Sequence, residues 1–176
     1  MDNNWRISTL NGALLACYFI PTWSIIAFQF VVSPVHCLYE QPNISLALFA
    51  SDQLHLAGLT MVRLGWLLAF GRLTMVAFFA VFLALITRPS IRKTGGCDEA
   101  LGIALGIGSV ISFACMIMAS TVGETGALRL HATELLLLLG NVIVMAVEPA
   151  PRAATATART WSAGGEAYHF GSSPNS

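Results

Sequence analysis

The chain has 176 residues, 56% of them hydrophobic and only 10% charged, with a formal net charge of zero. Soluble domains carry about 25% charged residues, so this composition, with a mean hydropathy of +0.71, indicates an integral membrane protein. No polar stretch outside the apolar runs is long enough to build a soluble core, and the scattered basic residues exclude nucleic-acid binding through a basic patch.

The chain opens with Met1–Arg6 and an apolar run in which Leu14-Leu15-Ala16-Cys17 loosely resembles a lipoprotein cleavage box. The run before Cys17 is short and interrupted by Ser8, Thr9 and Asn11, and Tyr18 to Val32 stays apolar. The expectation is an uncleaved anchor rather than a signal peptide. It forms the first predicted span, residues 10–32, with a kink at Pro21 that neighbouring helices can tolerate.

Residues 43–62 are apolar but contain Asp52 and His55. A fifth span here would have to reverse around Arg63-Leu64-Gly65, too tight a turn without shortening both helices. The sequence instead predicts a break at Ser51-Asp52, read as an N-cap pair. An amphipathic helix would begin there, lie in the outer interface and run on toward the second span.

That second span is predicted at 65–87. The uncharged run between Arg72 and Arg88 holds 15 residues, short of the ~17–25 a spanning helix needs. The span must therefore start earlier and carry Arg72 into the bilayer. Entry at Gly65 puts Arg72 about 10 Å deep at the helical rise.

The third span, 100–122, carries a GxxxG at Gly102 and Gly106, and Ala104, Gly108 and Ser112 repeat the spacing on an adjoining face. Small residues let helices approach closely, either within the bundle or between copies. The fourth span, 126–147, ends at Glu148-Pro149-Ala150-Pro151, a stop signal. Entry at Gly126 places Glu134 roughly 12 Å deep, level with Arg72. Isolated intramembrane charges are costly, so the two are expected to form a buried ion pair between spans two and four.

His131, Glu134, Leu138, Asn141 and Glu148 share one stripe of the fourth span. Ser109, Ser112 and Cys115 on span three, and Thr22, Ser24 and Gln29 on span one, could extend it into a polar lining. Interhelical hydrogen bonding is the expected use; a small-ion or proton path is the alternative. No cofactor is predicted. A haem b held by His131 with His55 or His36 is a minor alternative, because bis-histidine ligation needs facing imidazoles at matched depth. No metal site is expected, and Cys17, Cys37, Cys97 and Cys115 have no metal-type spacing and are read as free thiols. Asn43-Ile44-Ser45 fits a glycosylation pattern, relevant only on a secretory route.

Basic residues set the orientation. Arg6, Arg88, Arg92, Lys93, Arg152 and Arg159 fall on one side and only Arg63 and Arg129 on the other. Both termini are therefore expected in the cytoplasm, with the chain in the plasma (inner) membrane. The segment 149–176 reads as a disordered cytoplasmic tail. No internal repeat of the transporter kind is visible. The sequence thus predicts an all-α bundle of four transmembrane helices over 1–148 with an outer interfacial helix. Its expected role is a non-catalytic accessory or interaction subunit, whose partners are lipid, other membrane subunits or a second copy. Transport along the stripe and a haem- or quinone-linked redox role are the rivals.

Overall fold

The computed structural model describes residues 6–88 and 96–148. Their elements are all helical: α1 Ile7–Val32, α2 Pro34–Leu38, α3 Ile44–Asp52, α4 Gly58–Ile86, α5 Asp98–Val122 and α6 Thr125–Val147. Four of these, α1, α4, α5 and α6, are long and apolar enough to cross a membrane. With 23 to 29 residues each, they exceed the ~20 that match a hydrocarbon core. The segments 149–176, with Arg152 and Arg159, and the loop bearing Arg92 and Lys93 lie outside the described residues.

The long helices close a ring: α1 packs on α4, α4 on α5, α5 on α6, and α6 returns to α1. The inward face of α1 is Ala16, Phe19, Trp23, Ala27 and Phe30, a repeat of three and four residues. α4 answers with Ala69, Arg72, Met75, Phe79 and Phe82. The Phe19 and Phe79 rings stack across the contact with centroids 6.0 Å apart. Leu101 and Leu105 of α5 and Leu138 of α6 complete this half of the core. A second cluster at the other end joins Ala27 and Phe30 to Leu38, Leu46 and Ala47. Only 22–33% of the most apolar stretch of each long helix is buried, so most of each surface faces outward and is apolar there.

The region 43–62 departs from expectation. A helix does occupy part of it, but α3 ends at Asp52 instead of starting there. Ser51 and Asp52 are exposed and cap nothing. What orders α3 is burial of Ser45, Leu46, Ala47 and Ala50, mostly against α5. The chain then breaks at His55, whose φ of 48° lies in the left-handed region. Histidine enters that region more readily than most side chains. The turn lets the Leu56 N–H reach back to the Ala50 carbonyl at 3.0 Å.

α4 consequently begins at Gly58, seven residues before the expected Gly65, because Leu59 to Leu64 contains no helix breaker. Arg72 then lies fourteen residues from Gly58 and fourteen from Ile86, at the middle of the helix. α5 and α6 are joined by Gly123 and Glu124 alone. Gly123 has φ 75°, and the Glu124 N–H bonds to the Ala119 carbonyl at 3.0 Å, closing the helix end in the manner of a Schellman turn.

Candidate functional site: a buried polar network through the bundle

Arg72 and Glu134 are both buried, at 3% and 4% exposure, but they do not form the expected ion pair. No ion pair links them among the described residues. Trp23 stands between them. Its indole Nε1 donates to Glu134 Oε1 at 3.0 Å, and its ring face lies 5.7 Å from the Arg72 guanidinium. A tryptophan can hold an anion at its N–H and a cation at its π-face at once.

The guanidinium itself is drawn toward the segment before α3. Arg72 Nη1 donates to Asn43 Oδ1 at 2.7 Å and Nη2 to the Pro42 carbonyl at 3.2 Å. Asn43 Nδ2 in turn donates to the Cys37 carbonyl at 3.0 Å. Arg72 Nε has no partner. At its other end, Glu134 Oε2 accepts from Ser112 Oγ at 3.4 Å and lies 3.0 Å from His131 Nδ1. That last contact requires the His131 proton on Nδ1. A single polar chain therefore runs from Cys37 through Asn43, Arg72 and Trp23 to Glu134, Ser112 and His131. It touches every helix, with Asn43 standing as the N-cap residue of α3.

Four members of the fourth-span stripe, His131, Glu134, Leu138 and Asn141, face inward with Ala127 as the buried residues of α6, while Glu148 follows the helix as its C-cap and is only partly buried. The stripe is not polar throughout. Leu138 sits at zero exposure between Glu134 and Asn141, beside Met75 and Gly108. Asn141 is 3% exposed, and neither amide atom has a protein partner; Ser109 Oγ and His131 Nε2 are also unpartnered. The span-one polar residues contribute nothing inside. Thr22 bonds back to the Tyr18 carbonyl of its own helix, and Gln29 is exposed.

The GxxxG pair points away from the bundle. Gly102 and Gly106 are exposed, and a Cβ on either would meet no heavy atom within 4 Å. The intramolecular contact comes from the adjoining face, where a Cβ at Gly108 would meet the Met75 methyl at 2.5 Å and Leu138 at 3.1 Å. His36, His55 and His131, the histidines among the described residues, do not converge. His36 is 79% exposed and faces Glu40 at 3.4 Å, His55 is exposed, and His131 is spent on Glu134. No cluster of three metal-ligating side chains occurs among the described residues. The four cysteines are free thiols.

A second polar cluster ties the ends of α1, α5 and α6. Arg6 pairs with Asp98 and lies 3.5 Å from Glu148. Glu148 accepts the N–H groups of Ile7 and Ser8 at 3.1 and 3.2 Å. It thus satisfies donors that the first turn of α1 would leave open. Partial burial opposes charge on Glu148. The adjacent Ser8 hydroxyl, the Ser8 and Ile7 N–H groups and Arg6 outweigh that and hold its carboxyl below the usual range. The Ser8 hydroxyl itself makes no well-formed hydrogen bond there.

Of the residues singled out from the sequence, Arg72, Glu134 and His131 lie in this network and Asn141 is buried apart from it, while Trp23 and Asn43 were not singled out for it. Trp23 was legible in principle, as a mid-span indole N–H needs an acceptor when buried. Asn43 carried only the glycosylation signal, yet it is 2% exposed with its side chain engaged on Arg72 and Cys37, so it presents no acceptor. Comparison with family models, curated proteins and solved structures found no match.

Proposed function

We propose that the protein is a multi-pass protein of the plasma (inner) membrane, with both termini cytoplasmic, acting as a non-catalytic accessory or interaction subunit of a membrane complex. The observation that carries this reading is the use made of Glu134. Its carboxylate accepts from α1 and α5 and contacts His131 of its own helix, so the one buried acid among the described residues is consumed in holding helices together. Met75, Leu105 and Leu138, all at zero exposure, fill the core beside it. That filling works against permeation along the stripe. The outward apolar faces, with Gly102 and Gly106 uncovered, supply surface for lipid or a neighbouring subunit.

Extraction from native membranes in mild detergent, followed by native electrophoresis and identification of the co-migrating chains, tests the proposal. A discrete assembly of defined stoichiometry, larger than the 18.8 kDa chain in its micelle, is expected. A lone chain whose reconstituted vesicles show Glu134-dependent flux would replace this reading with transport.

A further inference from the structure

The side of α1 that faces away from the core carries a line of clefts ending at the elbow between α1 and α2. The first, about 490 Å³, is lined by Ser24, Ile25, Ala27, Phe28, Val31 and Leu73. Phe28 also borders the second, about 180 Å³, which reaches Gln29, Ser33, His36 and Glu40. The third, about 550 Å³, shares Ser33, His36 and Glu40 and adds Val35 and Tyr39. The clefts adjoin through shared residues as one trough, apolar along the span and still largely apolar where the span ends, with Ser33, His36 and Glu40 as polar groups there. Ile25, Phe28 and Val31 are each more than half exposed, at 58%, 68% and 51%.

The end at the elbow has a specific charge. Glu40 is the one acidic side chain lining it, a third exposed, with the His36 ring at 3.4 Å and no Lys or Arg pairing with it among the described residues. Around it stand neutral donors, Ser33 and Gln29, whose side chains enter none of the hydrogen bonds made among the described residues. The Tyr39 ring is 61% exposed beside them. An occupant must then offer a long apolar chain, an ammonium for Glu40 and Tyr39, and an acceptor for Ser33 and Gln29.

We infer that this trough binds a zwitterionic phospholipid of the surrounding bilayer. Its acyl chain lies along Ile25, Phe28, Val31 and Leu73. Its ammonium meets Glu40 against the Tyr39 ring, and its phosphate takes the Ser33 and Gln29 donors. A headgroup bearing phosphate without an amine would set a second negative charge beside Glu40. The inference rests on the membrane reading above, not on the subunit role.

The test uses the full chain purified in detergent and titrated with phosphatidylethanolamine, phosphatidylcholine or phosphatidylglycerol of identical acyl chains, with bound lipid counted by native mass spectrometry. The first lipid retained should favour the two zwitterionic headgroups over phosphatidylglycerol by about threefold, the size an exposed ion pair supplies. Glu40→Gln should flatten that preference and Glu40→Lys should invert it, each at unchanged helicity and melting temperature. Equal retention of phosphatidylglycerol by the natural chain would overturn the inference. An unchanged order in the folded Glu40→Lys variant would do the same. A chain that stays in solution without detergent would instead remove the membrane reading itself.

Discussion

Trp23 decides how the two buried charges coexist. Because its indole is inserted between them, Arg72 and Glu134 should behave as loosely coupled residues, while His131 and Glu134 share a 3.0 Å contact. Double-mutant cycles on thermal stability should give the larger coupling for His131/Glu134. A larger coupling for Arg72/Glu134 would mean that the guanidinium leaves Asn43 for the carboxylate. Trp23→Phe keeps an aromatic ring, removes one donor to a carboxylate and leaves the space of the second indole ring unfilled. It should destabilise the fold by at least about 1–2 kcal/mol, the share of a donor valued between charged hydrogen bonds in soluble proteins and bonds inside membranes, with the gap adding to it. Asn141 presents the opposite case, a buried amide with neither end bonded to protein. Asn141→Leu should raise the melting temperature, with a gain of about 1–2 kcal/mol from removing an unsatisfied group. A loss of stability would show that the amide holds a bridging water worth keeping.

At the scale of elements, the four long apolar helices were legible because twenty-odd apolar residues in a row admit few alternatives. The outer segment was not. Its start and stop depend on what Asn43 and Ala50 touch on other helices, and a cap-type dipeptide at Ser51-Asp52 carries no such information. The same ignorance of where α4 began put Arg72 in the outer half of its helix, about 10 Å in, when it lies at the middle. The GxxxG motif left open whether its small residues pack within the bundle or against a second copy, since a small-residue repeat does not say which side has a neighbour; within the chain the neighbour is at Gly108, and Gly102 and Gly106 stay uncovered. Two element ends can be tested directly. Gly123→Ala places a Cβ at φ 75°, and unfolding should become easier by about 1–2 kcal/mol, the strain of a left-handed residue. At the other end, Glu148 has a folded pKa below its ordinary value of 4.5. Its contribution is therefore complete above that value and disappears as pH falls through it toward the folded pKa. The melting-temperature gap between the natural chain and Glu148→Gln should be open at pH 7 and close under acid. A gap constant with pH would show that Glu148 caps α1 through shape rather than charge.

For the whole molecule, the contacts of Arg6 with Asp98 and of Glu148 with Ile7 and Ser8 put the start of α1, the start of α5 and the end of α6 at one end of the bundle. Arg63 and Arg129 lie in the early turns of α4 and α6, at the opposite end. Reporters fused at both chain ends should consequently give the same sidedness, and a cytoplasmic one. Opposite sidedness of the two reporters would require an odd number of crossings and break the four-helix ring.

The polar chain through the bundle also has a direction in time. Asn43 and Pro42, which hold Arg72, come earlier in the sequence than the arginine they hold. Trp23, Ser112 and His131, which hold Glu134, all come before the acid. A chain made from its N-terminus therefore has the partners of each buried charge synthesised before that charge appears. Moving α6 ahead of α1 by circular permutation would keep the partners within the polar chain, reverse much of that order and cut the Gly123–Glu124 turn between α5 and α6. The permuted chain should then be retained and degraded more at the insertion machinery than a chain in which that turn alone is disturbed by Gly123→Ala.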